Sequence, residues 1–150
     1  MRPGLVKTIK VLGLTLALSL VLGAVAPSAH ATRTPRLDML GWVNSARSTR
    51  GAVSLDPGWR LRKMANEHSR QMANAGRIFH TASLGSRLTF VSWSVAGENV
   101  GAGGSMRGLF DAFMRSDAHR ANILGRGYRR VGVGLYTQDG FLWVTMIFVG

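Results

Sequence analysis

The sequence VGVGLYTQDGFLWVTMIFV, residues 131–149, decides the fold of this chain. Apolar residues alternate with glycines from Val131 to Leu135, which predicts a half-buried strand. The pair Asp139-Gly140 is a strong signal for a tight hairpin turn. The nearly continuous apolar run from Phe141 to Val149 is typical of a strand that is buried on both faces. The stretch therefore predicts a terminal antiparallel hairpin within a sheet.

Three helices are predicted upstream of this hairpin. Apolar residues at every third position predict a first helix over about residues 36–49. A second helix is expected to begin with Asp56 as its N-cap and Pro57 as its first residue, and to end at Gly76. The strongest apolar periodicity in the chain follows Ser105, which we interpret as the N-cap of a third helix. Helices followed by a hairpin indicate an α+β fold with the helices packed on an antiparallel sheet.

Residues 1–31 have the features of a secretory signal peptide. A basic start precedes an apolar segment, and Ala29-His30-Ala31 has the small-x-small pattern of a signal-peptidase site. The alternative is an uncleaved membrane anchor, but the 16 apolar residues from Val11 to Ala26 fall short of the roughly 20 that span a bilayer. We expect cleavage after Ala31, with no transmembrane segment left. The remaining chain would be a polar leader at residues 32–36 and one domain at residues 37–150.

The composition limits the partners that such a chain can have. It contains no cysteine, which excludes disulfides and thiolate metal sites. Loss of residues 1–31 would lower the formal net charge from +12 to +9, nearly all of it arginine. We expect an exported monomer to meet anionic cell-wall polymers or lipid head groups, and not nucleic acid. The alternative is that the arginines, which are scattered along the sequence from Arg47 to Arg130, only form a solvated surface.

Three short signatures contain the candidate functional residues. Phe79-His80-Thr81 follows a helix end, in a connection where side chains are not committed to packing. Gly97-Glu98-Asn99-Val100 carries one of the two glutamates of the chain. The stretch from Ser116 to Leu124 carries His119 and Asn122, which share one face of a short helical turn. Imidazole and carboxylate groups bind metals and transfer protons near neutral pH.

The residue types in these signatures allow two interpretations. His80, Glu98 and His119 could hold a zinc ion or another divalent cation with an open position for water. The alternative is a hydrogen-bonded network that holds the cleft loops together, since separations of 18 and 21 residues do not preform a metal site. No nucleophile motif is present. We interpret Ser116 as a helix N-cap and not as half of a serine–histidine pair.

Two further features are interpreted as structural. His68 lies on the apolar stripe of the second helix, where a buried, hydrogen-bonded core histidine is the expected role. Gly101-Ala102-Gly103-Gly104 lacks both the GxGxxG spacing and a lysine–hydroxyl pair, which excludes a nucleotide-binding loop. We therefore expect these glycines to form a flexible, sharply turning loop.

In this order, the signatures resemble the CAP superfamily, which is named for cysteine-rich secretory proteins, antigen 5 and pathogenesis-related 1 proteins. The likeness is to its short, cysteine-free bacterial branch, and it covers nearly all of residues 37–150. The matching segments are Leu40–Arg47, Leu55–Met72, Phe79–Thr81, Gly97–Val100, Phe113–Leu124, Val131–Gly134 and Trp143–Phe148. The resemblance implies an α-β-α sandwich with an antiparallel central sheet and a cleft lined by two histidines and two acidic residues.

Carried over residue by residue, the resemblance places His80, Glu98 and His119 in that cleft. It also implies that the two histidines bind a divalent cation in some members. The fourth position, a glutamate in the family, falls on Ser116 here, so the full set of two histidines and two acids is not available. Asp111 and Asp117 are the nearest acids, but neither has the matching spacing.

Three functions remain open at this point. The first is a secreted, extracellular or cell-wall-associated module that binds a metal ion, a lipid or a wall polymer without turnover. Its cleft would be lined by His80, Glu98, Asn99, Ser116, His119 and Asn122. The second is a metal-assisted hydrolase that uses the same cleft. The third is a basic domain that adheres to polyanions. The missing fourth acid and the absent nucleophile favour a binding module over an enzyme.

Overall fold

The computed structural model describes residues 34–150. The predicted signal peptide at residues 1–31 and the start of the predicted leader lie outside the described residues. The elements are α1 (Pro35–Ser48), β1 (Asp56–Pro57), α2 (Trp59–Ala75), α3 (Leu84–Arg87), β2 (Ala96–Gly103), α4 (Met106–Arg115), α5 (Asp117–Leu124), β3 (Arg130–Gln138) and β4 (Phe141–Val149). Between residues 34 and 150 no helix is both long enough and apolar enough to cross a membrane.

The four strands form one sheet in the order β1-β3-β4-β2. Strand β4 pairs antiparallel with β3 and with β2, and the short β1 pairs parallel with β3. The predicted hairpin is confirmed: Asp139 and Gly140, with φ angles of 50° and 76°, turn β3 into β4. From Val144 to Val149 every residue of β4 is buried, as its apolar sequence predicts.

Helices cover both faces of this sheet. Helix α2 packs on one face, where Leu61, Ala65, Ile147 and Val149 are buried together. Helices α1, α4 and α5 pack on the other face around a larger apolar cluster. The fold is therefore a three-layer α-β-α sandwich, and the predicted fold class is confirmed.

The prediction of a half-buried β3 is wrong, because the glycine side of the strand is also covered. Gly132 and Gly134 are both buried beneath α2. A Cβ atom on Gly134 would lie 2.1 Å from the carbonyl carbon of Ala65, and one on Gly132 would lie 2.3 Å from that of Leu61. The alternation of valine and glycine therefore marks contact between the backbones of helix and strand, and not a solvent-facing side.

The predicted start of the second helix is also wrong. Asp56 and Pro57 form β1, and α2 begins at Trp59 with Gly58 at the N-cap. The backbone N–H of Asp56 donates to the carbonyl of Arg129, so these residues serve the sheet and not the helix. The predicted stop at Gly76 is confirmed, since this residue has a φ of 62°. At the third helix, the predicted cap is confirmed by the Ser105 hydroxyl, which accepts a hydrogen bond from the N–H of Gly108.

Most of the predicted glycine loop is instead an edge strand. Residues 101–103 belong to β2 and pair with residues 142–144 of β4. At Gly101 the space for a side chain is taken by the ring of Phe113, whose Cε1 atom would lie 3.0 Å from an added Cβ. Gly101 and Gly103, whose added Cβ atoms would meet Phe113 and Leu109, are thus explained by close packing against α4.

The basic character of Arg47 suggested a place on a solvated surface, but the structure buries this residue. It is fully buried, and its guanidinium donates hydrogen bonds to the carbonyls of Val53, Ile123, Gly125 and Tyr128. Burial, with the nearby charge of Arg129 as a weaker cause, lowers the pKa of Arg47 below its usual range. The side chain joins α1 to the end of α5.

Candidate functional site

Strand β2 positions the site by presenting adjacent side chains to opposite faces of the sheet. Glu98 lies opposite Ile147 and Asn99 opposite Met146. Ile147 belongs to the apolar cluster under α2, whereas Met146 belongs to the cluster under α1, α4 and α5. The sequence Glu98-Asn99 therefore contacts both helical layers from one edge strand.

The Glu98 carboxylate is buried and accepts three hydrogen bonds. Its Oε2 atom accepts from the backbone N–H of Thr81 at 2.9 Å and from His80 Nδ1 at 2.9 Å. Its Oε1 atom accepts from the Thr81 hydroxyl at 2.6 Å. Both oxygens thus fix the loop that follows α2, and Thr81 is a site residue that the sequence analysis quoted without assigning it a role.

The contact with Glu98 orients the His80 ring. A carboxylate oxygen can only accept a hydrogen bond, so the hydrogen of this contact is on His80 Nδ1. The side chain of His80 is 63% exposed. Its Nε2 atom is therefore directed away from Glu98 and is available as a donor of a lone pair.

Asn99 and Asn122 hold α5 against the opposite face of β2. The Asn99 amide is fully buried and donates to the backbone carbonyl of His119 at 3.0 Å. The Asn122 amide donates to the carbonyl of Glu98 at 3.1 Å and to Asn99 Oδ1 at 2.9 Å. Tyr128, which the sequence analysis missed, donates from its hydroxyl to Asn122 Oδ1 at 3.2 Å. The two asparagines thus bind α5 to the strand that carries Glu98.

His119 packs its ring against Phe113, with the ring centroids 5.0 Å apart. Burial lowers the pKa of His119 from 6.5, and the positive charge of His80 lowers it further. The folded chain therefore favours a neutral His119, which is the form that binds metals.

The position of the missing fourth acid is at the junction of α4 and α5. Ser116 occupies the predicted N-cap position of α5, but its side chain makes no capping hydrogen bond. The junction is held by the backbone, since the Ser116 N–H donates to Ala112 and its carbonyl accepts from Arg120. Asp111 pairs with Arg107 and Asp117 with Arg120, each on its own helix.

His68 has the structural role that the sequence predicts. It is 5% exposed, and its Nε2–H donates to the backbone carbonyl of Phe79 at 2.8 Å. Its ring also meets the Phe79 ring edge to face, with centroids 5.1 Å apart. His68 thus anchors the residue that directly precedes His80.

The donor set limits what these residues could bind. Within residues 34–150, no group of three or more His, Cys, Asp or Glu side chains is arranged to hold a metal ion. Glu98 has both oxygens engaged by Thr81 and His80, which makes it an orienting partner of His80 and not a ligand. Two imidazoles fit a cation that completes its coordination with water or with a bound molecule.

Comparison with protein families places this architecture among known domains. A family model described as the cysteine-rich secretory protein family, CAP, matches residues 40–148. The protein YkwD of Bacillus subtilis is 31% identical over 115 residues, which cover 72% of this chain and 44% of that protein. The present chain thus spans less than half the length of this relative.

Solved structures share the fold. An extracellular protein with an SCP domain from Bacillus anthracis superposes with a TM-score of 0.69 at 24% identity, over 77% of this chain and 40% of that one. An outer surface protein from Borrelia burgdorferi superposes with a TM-score of 0.71 at 16% identity, over 79% of this chain and 93% of that one. At these identities the likeness shows the fold alone.

Proposed function

This chain belongs to the cysteine-rich secretory protein (CAP) family, and on that premise we propose that it is an extracellular binding module. Its binding site is the cleft formed by His80, Glu98 and His119, and no turnover takes place there. The location is supported by the predicted signal peptide at residues 1–31. It is also supported by the descriptions of the Bacillus anthracis and Borrelia burgdorferi proteins as extracellular and outer-surface proteins.

The observation that carries this proposal is the saturation of the Glu98 carboxylate. A hydrolase that used this cleft would need a group to take a proton from water, and Glu98 would be its candidate. Instead, Glu98 accepts hydrogen bonds from the Thr81 N–H, the Thr81 hydroxyl and His80. Such a carboxylate positions a loop, and a positioned loop with an exposed imidazole suits binding.

A divalent cation such as zinc is the ligand that the two histidines fit best. His80 would bind it through Nε2 while Nδ1–H stays on Glu98, an arrangement in which a carboxylate orients a metal-binding imidazole. His119 would supply the second nitrogen in the neutral form that its lowered pKa favours. A bound zinc ion would supply Lewis acidity toward an anionic oxygen of a lipid or wall polymer.

The test is a calorimetric titration of zinc into the purified protein and into His80→Ala/His119→Ala, with folding checked by circular dichroism. We expect saturable one-to-one binding that is lost in the folded double variant. Ser116→Ala keeps both imidazoles and serves as the matched control with unchanged binding. Ser116→Glu restores an acid at the family's fourth position and is expected to bind zinc more tightly. A folded wild type that takes up no zinc, or a double variant that still binds it, would contradict the metal site.

A further inference from the structure

A second surface, which borders the histidine site at Thr81 and His68, surrounds Trp59. This residue is the first of α2, and its side chain is 65% exposed although it is large and apolar. It lies on the rim of three pockets, the larger two with volumes of about 550 and about 480 Å³. None of His80, Glu98 and His119 lines any of the three. We call these three pockets, with the tryptophan between them, the Trp59 surface.

The fold gathers cations on the Trp59 surface that the sequence shows as scattered. They come from α1, the start of α2, α3 and the start of β3: Arg36, Arg60, Arg62, Lys63, Arg87 and Arg130. Among the residues that line the three pockets, Glu67 is the single carboxylate. Its oxygens are already bound by Arg70 and Gln71.

Within the described part of the chain, the charge on this surface is balanced only in part, since Glu67 interacts electrostatically with Arg87 but with none of the other five cations. No ion pair between residues 34 and 150 involves any of the six cations. Arg60 and Arg130 donate only to backbone carbonyls, those of Phe90 and Ser92. Arg36 donates from Nη2 to Asn66 Oδ1 and to the Leu135 carbonyl, while its buried Nε atom has no hydrogen-bond partner. All of the six except Arg36 are exposed, so an anion can reach them from solvent.

We infer that the Trp59 surface binds a linear, phosphate-bearing polymer. Five of the six cations are arginines, whose planar guanidinium groups match phosphate oxygens in a bidentate manner. The cations lie in separate pockets on several sides of one exposed indole, which suits phosphates spaced along a chain. The carbon units between the phosphates would pack against Trp59 and Phe90, which line the same pocket.

The concave shape argues for a polymer over a membrane surface. Pockets of several hundred Å³ accept small chemical units, whereas a flat layer of lipid head groups contacts only what protrudes. Arg36 is half-buried inside its pocket, below the rim that Trp59 forms. The Arg60 guanidinium lies 5.2 Å from the centroid of the Trp59 ring. A phosphate bound to Arg60 would therefore place its neighbouring unit beside the indole.

The probe for this inference is long-chain sodium polyphosphate, titrated into the purified full chain by calorimetry. Arg60→Gln/Arg62→Gln/Lys63→Gln should weaken binding by about tenfold or more, because charge-assisted hydrogen bonds to phosphate are lost. The control Arg50→Gln/Arg115→Gln/Arg126→Gln removes the same charge from exposed residues elsewhere, and we expect less than about a twofold loss. Trp59→Ala should weaken binding of a poly(glycerol phosphate) without changing its salt dependence, and it should not weaken binding of polyphosphate, which has no carbon units between its phosphates to pack on the indole.

A second variant keeps the test independent of α2. Arg87→Gln/Arg130→Gln alters the same surface from α3 and β3, and it should also weaken binding more than the control does. An equal loss in the two triple variants would overturn the inference, since it would show attraction by net charge alone. Sedimentation with phosphatidylglycerol vesicles but not with phosphatidylcholine vesicles, together with no binding of polyphosphate, would overturn it in favour of a membrane. The zinc titration of the histidine cleft is unaffected by any of these outcomes.

Discussion

The two faces of the sheet are packed in different ways, although the same two central strands form both. On the α2 face, β3 presents Gly132 and Gly134, and the backbone of the helix rests directly on them. On the other face, large side chains fill the space between the sheet and α1, α4 and α5, among them Val131, Val133, Val144, Met146 and Phe148. The first face allows no increase in size, whereas the second can adjust through its rotamers.

The two faces also differ at the edge strand β2, where Glu98 and Asn99 point to opposite sides of the sheet. On the α2 face, the charged Glu98 fixes the loop of His80 and Thr81. On the other face, the neutral Asn99 fixes α5 through the carbonyl of His119. The exposed imidazole of His80 is thus held by the ionic Glu98 of β2. The imidazole of His119 is held on α5 by packing against Phe113. We therefore expect variants of Asn99 to affect the stability of the fold and variants of Glu98 to affect mainly the site.

The largest loss of stability is expected when a methyl group is added on the α2 face. Gly134→Ala would place Cβ within 2.4 Å of three backbone atoms of Ala65 and Asn66, which cannot rotate away. We expect a loss of about 3 kcal/mol or more in the free energy of unfolding, measured by urea denaturation. Gly104→Ala is the matched control, since nothing lies within 4 Å of its Cβ position, and it should change stability by less than about 0.5 kcal/mol.

The opposite face offers the corresponding contrast. Val133→Ala removes buried volume from the side that packs through side chains, and it should cost about 1 to 2 kcal/mol because neighbouring groups relax only in part. If Gly134→Ala were tolerated as well as Gly104→Ala, the helix would not rest on the strand as described.

The next largest effect is expected at Asn99. Asn99→Ala removes the donor to the His119 carbonyl and the acceptor of the Asn122 amide, both in a buried environment. Unsatisfied buried groups cost about 1 to 3 kcal/mol each, so urea denaturation should show a loss of about 2 kcal/mol or more. Asn74→Ala, at an exposed position of α2, provides the control. Equal stabilities of the two variants would show that Asn99 does not hold α5.

A smaller and more local effect is expected at Glu98. In Glu98→Gln, one of the two terminal atoms becomes an NH₂ group, which faces the donors of Thr81 and His80. Loss of a charge-assisted hydrogen bond costs about 1.5 to 3 kcal/mol locally, and the Thr81 amide should exchange its hydrogen faster. Glu67→Gln changes the other glutamate of the chain, at an exposed position, and should leave that rate unchanged. Unaltered exchange in Glu98→Gln would remove Glu98 from its proposed role.

The sequence predicts the fold well where local patterns decide it. The hairpin at Asp139-Gly140, the cap at Ser105 and the buried β4 are all confirmed, because turn chemistry and apolar runs act over a few residues. The errors concern contacts between distant segments. Gly101 and Gly134 resemble loop or surface glycines in sequence, and only the approach of α4 and α2 shows why a side chain is excluded there.

The motifs named the candidate site residues, whose role stays a prediction, but not the way these residues are arranged. The motifs name His80, Glu98 and His119, yet they do not show that Thr81 shares the Glu98 carboxylate. Arg47 and the Trp59 surface were missed for the same reason. A buried arginine and a cluster of six exposed or half-buried cations look alike along a sequence of scattered basic residues.

The smallest expected effect tests the packed imidazole through its response to pH. An unfolded chain protonates His119 near pH 6.5, whereas burial and then the charge of His80 lower the pKa in the folded chain. Between the two pKa values the unfolded state binds more protons, so this contribution to stability is complete above pH 6.5 and is lost as pH falls toward the folded pKa. Urea denaturation with a metal chelator at about pH 7.5 and about pH 5.5 should therefore show a smaller pH dependence in His119→Gln than in the wild type. The charge of His80 is only the weaker cause of the lowered His119 pKa. His80→Gln should therefore keep most of the contribution of His119 to the pH dependence of stability. An identical pH dependence in His119→Gln and the wild type would show that the helix does not bury this imidazole, and the two histidines of the cleft would then be held alike.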